Sequence, residues 1–175
     1  MKIEYLHASK FDNGAVVATE FRKQMAGSGV VVEIHHIRQV RPAELSPADL
    51  YLFGSPGRIG KPIRSMRRFL KKVDLPAATR YAILTTEVAP KPDKKTGQMP
   101  SEAELAKYQR VRAIMNELLQ DKGLLKVAEE TVHVTGLKGP LEDGWEKKVQ
   151  AFAAEVLRGI PARPNLGTGA PTERQ

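Results

Sequence analysis

Leu50–Phe53 is an apolar run without a polar interruption, and it stops at Gly54. A strand that is apolar at every position needs cover on both faces, the condition met inside a parallel sheet layered with helices. The chain continues Ser55-Pro56-Gly57-Arg58-Ile59-Gly60-Lys61, then reaches Pro62 and a segment with Ile63, Met66, Phe69, Leu70 and Val73 at helical spacing. Proline suits the first turn of a helix, where its missing N–H costs nothing. Strand, loop and helix N-terminus in succession is where α/β proteins bind ligands.

The flanking segments repeat the alternation. Lys2–Leu6, Val30–Ile37, Tyr81–Leu84 and a stretch within Leu124–Val134 read as strands. Ala15–Ala26 carries Val17, Ala18, Phe21 and Met25 at helical spacing, with Gly27 and Gly29 behind it. Two prolines in Arg38–Ala48 allow only a short or broken helix there. Glu87–Pro100 is expected to be a long surface loop. Ser101 and Glu104 form a capping-box pattern that opens a helix to about Lys122, with Leu105, Tyr108, Val111, Met115 and Leu118 inward. Gly139-Pro140 opens the last helix, with Leu141, Trp145, Val149, Phe152 and Val156 on one face.

This pattern predicts an α/β fold: a doubly wound five-stranded parallel sheet, strand order 2-1-3-4-5, as a three-layer sandwich. Its ligand crevice lies between strands one and three, where His7–Gly14, Gly54–Pro62 and Thr85–Pro100 should converge. Residues 1–158 form the predicted domain. Residues 159–175, repeatedly interrupted by proline and glycine, read as a disordered tail.

Composition removes several chemistries. The 175 residues include no cysteine, which excludes disulfides, thiolate metal sites and a cysteine nucleophile. His35 and His36 are adjacent at a strand end and point to opposite faces, so no metal site is expected. The N-terminus lacks the apolar core of a signal peptide and no run is long enough to span a membrane, so a cytoplasmic, non-membrane protein is expected. A P-loop is excluded: Ser55 stands where its first glycine belongs and Pro62 where its hydroxyl belongs. No G-x-G-x-x-G fingerprint occurs.

Taken with Asp49–Pro56, Gly60-Lys61-Pro62 with Met66, Phe69 and Leu70, and Lys138–Glu142, residues 1–158 resemble the flavodoxin family. The resemblance implies a flavodoxin-like fold, FMN as cofactor and electron transfer as activity. It implies a phosphate loop at Ser9-Lys10-Phe11-Asp12-Asn13-Gly14, in which Ser9 and Asn13 match the family while Phe11, Asp12 and Gly14 depart from its Ser/Thr-rich pattern. The alternative is an ordinary loop whose Asp12 or Asn13 caps the helix. Ring-side contacts are implied for Ser55, Pro56, Gly57, Arg58 and Ile59, and for Thr85, Thr86 and Glu87, without the aromatic bracket typical of the family. Arg58 beside the ring would stabilise reduced anionic flavin.

Arg58, Lys61, Arg64, Arg68 and Lys71 make a basic face on and before one helix, within a net charge of +8. An acidic redox-partner protein is the docking partner this face suits; without base-stacking motifs, nucleic acid is not an expected partner. Three functions stay open: an FMN electron carrier, an FMN-dependent reductase of a small acceptor such as a quinone, and a flavin-free module that docks an acidic partner.

Overall fold

The uninterrupted run at 50–53 divides between two cores. Leu50 and Leu52 enter one apolar cluster, Tyr51 and Phe53 the other, and all four are at most 4% exposed. The computed structural model describes residues 1–136 and 138–162, and the rest of the predicted tail lies outside the described residues.

The elements follow in the order β1 (Lys2–His7), α1 (Asn13–Gln24), β2 (Val31–His36), β3 (Leu50–Arg58), β4 (Lys61–Pro62), α2 (Arg64–Lys72), β5 (Arg80–Val88), α3 (Glu102–Tyr108), α4 (Val111–Gln120), β6 (Leu125–Val134) and α5 (Trp145–Gly159). The sheet order is β2-β1-β3-β5-β6, all parallel, with the two-residue β4 paired antiparallel to the end of β3. Leaving out β4, this is the predicted 2-1-3-4-5 order. α1 and α5 cover one face, where Phe21 meets Tyr5 edge-on at 5.6 Å and Phe152 at 5.7 Å. α2 and α4 cover the other through Met66, Leu70, Val111, Met115 and Leu119.

Several segments differ from the sequence reading. Pro62 is not in a helix; it pairs with Gly57 across a hairpin, and α2 starts two residues later. The helix expected from 101 to 122 is two helices. Its capping box forms as read, with Ser101 accepting from the Glu104 amide. The ladder then breaks at Gln109, because the Arg110 amide donates to the Gly60 carbonyl at 2.7 Å instead of continuing the helix. Tyr108, expected inward, is 73% exposed, and Leu119 takes the fully buried place expected of Leu118. α5 begins at Trp145 behind Gly144; Gly139-Pro140 belongs to the preceding turn, in which Leu141 bridges back to Val134. β3 and β5 each run past the predicted end, to Arg58 and Val88, so two of the predicted ligand loops begin as strand. Ile160 is buried against the core, two residues beyond the predicted domain end.

No helix among the described residues is long and apolar enough to cross a membrane.

Candidate functional site

β1 and β3 end side by side, with His7 opposite Gly54, and their loops form one wall of a crevice. The close approach requires Gly54: a Cβ there would lie 3.0 Å from the Tyr5 ring and 3.3 Å from His7 Cβ. The crevice encloses about 200 Å³ and is lined by Ser9, Lys10, Phe11, Asn13 and Gly14 from the first loop, with Pro56, Gly57, Arg58 and Ile63 from the hairpin. Thr86 and Val88 from β5 and Val134 from β6 complete it.

The first loop delivers a helix N-terminus with free donors. Asp12 enters α1 at φ 62 and its side chain makes no capping hydrogen bond. The Val16 amide donates to the Asp12 carbonyl, while the amides of Asn13, Gly14 and Ala15 have no acceptor among the described residues. Such amides, at the positive end of the helix dipole, attract an anion. The capping alternative raised by the sequence is therefore not the arrangement seen. Lys10 and Lys138 add charge, their ammonium nitrogens lying 5.5 and 6.0 Å from the centre of the Phe11 ring. Gly14 keeps the turn tight; a Cβ would lie 3.0 Å from Ser9 Cβ.

Two histidines hold Ser9. Its amide donates to His7 Nδ1 at 3.3 Å, and its carbonyl lies 3.3 Å from His36 Nε2. His36 Nδ1 accepts from the Arg38 amide at 3.1 Å, which leaves the proton on Nε2 to donate to Ser9. His7 is 8% exposed, and burial, followed by the neighbouring His36, lowers its pKa below the ordinary 6.5.

The remaining predicted site residues divide. Ser55 lies under the crevice floor at 2% exposure, its hydroxyl donating to the Pro56 carbonyl at 2.9 Å. Asp12 is exposed and Ile59 projects from the hairpin tip at 92% exposure; neither lines the crevice. Thr85 and Glu87 turn to the far side of β5. There the Glu87 carboxylate accepts from the hydroxyls of Thr85 at 2.9 Å and Thr131 at 3.1 Å. Glu87 and Thr131 line a separate cavity of about 600 Å³ against α3 and α4. Strand alternation separates Thr86 from its two neighbours, a consequence of β5 continuing to Val88. Of Glu87–Pro100, only Val88 reaches the crevice.

Lys138, Ile63, Val88 and Val134 were not among the predicted site residues. Lys138 is the one with a sequence signal, since it opens the Lys138–Glu142 motif. Elsewhere, Glu4, Glu33 and His35 bring one ligand atom each within 4.8 Å. The Lys2 ammonium already bridges the two carboxylates at 2.8 and 3.0 Å, so a cation is present in the chain itself.

Comparison with solved structures places the fold. Oxidised flavodoxin 1 from Bacillus cereus superposes with a TM-score of 0.66 at 19% identity, over 90% of this chain and 98% of that one. Flavodoxin 2 of the same organism gives 0.67 at 17% identity, over 90% and 99%. The fold is that of the flavodoxins. The flavodoxin-like fold also occurs within rubredoxin oxygen:oxidoreductase of Desulfovibrio gigas, at TM-score 0.67 and 13% identity; the match covers 91% of this chain and 36% of that longer one. No protein-family model and no curated sequence matches the chain.

Proposed function

We propose that this flavodoxin-like chain binds FMN in the crevice and transfers electrons to a protein partner. The observation that carries the reading is the α1 N-terminus, where three amides without acceptors among the described residues and two nearby lysines suit a dianionic phosphate. The narrow lining of Pro56, Gly57, Ile63, Val88 and Val134, with Thr86 as a hydroxyl donor, suits a flat ring. Phe11 supplies an aromatic face on the crevice wall, at the phosphate end rather than beside the hairpin. FMN, when bound, supplies one- and two-electron chemistry. The chain's part is to hold the phosphate, exclude water from one side of the ring and set its electrostatics through Arg58.

The exposed cations Arg58, Lys61, Arg64, Arg68 and Lys71 have no ion-pair partner among the described residues, and they form the docking face for an acidic redox partner. Titrating the flavin-free protein into FMN tests the reading. Saturable quenching of flavin fluorescence at one FMN per chain is expected. Absence of saturation overturns it and leaves the flavin-free docking module.

A further inference from the structure

A second cavity adjoins the crevice on the β2 side and encloses about 590 Å³. It shares Ser9, Lys10, Arg58 and Ile63 with the crevice, so the stem of the β3–β4 hairpin stands between the two spaces. Its charge is one-sided. Lys10, Arg38, Arg58, Lys61, Arg64 and Arg67 line it, and no carboxylate does among the described residues. None of these six makes an ion pair among the described residues, although the chain answers other cations, such as Lys2 and Lys148, with glutamates. Like charges gathered in a concavity repel and raise the local potential. Arg67 adds a further sign: it lines the cavity, and its Nε is buried with no hydrogen-bond partner among the described residues. A buried guanidinium nitrogen is costly to leave unsatisfied, so Arg67 is held at the cavity wall without an internal acceptor among the described residues.

The chemistry of the ligand follows from charge, volume and apolar lining. A single phosphate ion would fill a small part of this space and answer few of the cations. Ala8, Ile59, Pro62 and Ile63 give the cavity an apolar side against which a base can lie. We infer that this cavity is a binding site for a nucleoside carrying a pyrophosphate group, separate from the site at the α1 N-terminus. Arg67, Arg38 and Lys61 take the phosphate oxygens. Ile59, held at the tip of the hairpin, covers the base. Arg58 and Lys10 stand between the two sites and feel both ligands.

Isothermal titration calorimetry with ADP at low ionic strength tests this without FMN, so the result does not depend on the proposed flavin function. Saturable binding of one ADP per chain is expected, at least fivefold tighter than inorganic pyrophosphate. Arg38→Gln and Arg67→Gln, each shown folded by its thermal melt, should weaken ADP at least fivefold, and Lys72→Gln on the outer face of α2 should not. Arg38→Gln should leave fluorescence quenching by FMN unchanged, and saturating FMN should not displace ADP. The inference is overturned by absence of saturable ADP binding, by wild-type affinity in both arginine variants, or by displacement of ADP by FMN. Equal affinity for pyrophosphate and ADP overturns the nucleoside assignment. Binding of an oligoglutamate peptide without binding of ADP overturns it in favour of a protein partner.

Discussion

The imidazole rings of His7 and His36 meet edge-on, 5.2 Å apart at 78°, and grip Ser9 from its two peptide groups. His7 can accept from the Ser9 amide only while its Nδ1 is unprotonated. The loop that aims the α1 amides is thus tied to the neutral form of a buried ring.

That tie sets a pH dependence. Burial lowers the folded pKa of His7 below its ordinary 6.5, so the unfolded chain takes up the proton first as pH falls. The stability contributed by His7 is complete above pH 6.5 and is lost as pH drops through the lower, folded value. Thermal melts at half-unit steps from pH 8 to 5 should show Tm falling below about pH 6.5, the unperturbed histidine value. In His7→Gln, the part of that slope due to His7 should disappear.

Ile59 is strained where it stands. It has φ 52 in the tip turn, followed by Gly60 at φ 68, a pair of positive values that favours Asn-Gly over Ile-Gly. A β-branched residue there costs about 1 kcal/mol or more. Its side chain is 92% exposed and returns little packing. Ile59→Asn should therefore raise the unfolding free energy by about 1 kcal/mol in urea denaturation, while weakening ADP if Ile59 covers the base.

Gly60 admits no substitute. A Cβ at this position would overlap the Tyr108 carbonyl oxygen, and the backbone is left-handed. Gly60→Ala should lose about 2–5 kcal/mol of stability from overpacking and backbone strain together. Urea denaturation should read this as a lower midpoint with an unchanged slope.

Thr131→Val removes one of the two hydroxyls that serve the Glu87 carboxylate, at nearly constant volume. The expected loss is about 1–3 kcal/mol, the cost of an acceptor left short of a donor. FMN affinity should not change, because this network lies beyond the crevice wall. Equilibrium unfolding and the flavin titration together separate the two effects.

With FMN bound as proposed, Arg58→Gln at the crevice wall should lower the flavin's reduction potential, since a cation beside the ring favours the electron-rich form. The shift should be on the order of tens of millivolts and shrink with added salt. Spectroelectrochemistry at two salt concentrations reads both.

The layers and strand order were legible because burial wrote itself as pattern: apolar at every position for 50–53, three-and-four spacing for Met66, Phe69 and Leu70. The crevice was legible only in outline. Thr85, Thr86 and Glu87 are consecutive, and their division between two faces depends on β5 running to Val88, which no apolar run announces. The break at Gln109 was invisible because its cause is remote: the acceptor is the Gly60 carbonyl, in a different part of the chain. His36, Arg38 and Arg67 converge on one cavity through the sheet order, not through proximity in sequence.

The bond from the Arg110 amide to the Gly60 carbonyl makes the hairpin tip and the α3–α4 junction a single mechanical unit. Tyr108 stands exposed just before that junction, and Arg58 stands on the other end of the same unit at the crevice mouth. A substitution that disturbs the hairpin tip is therefore expected to be felt at the α3–α4 junction as well, because the two share that bond.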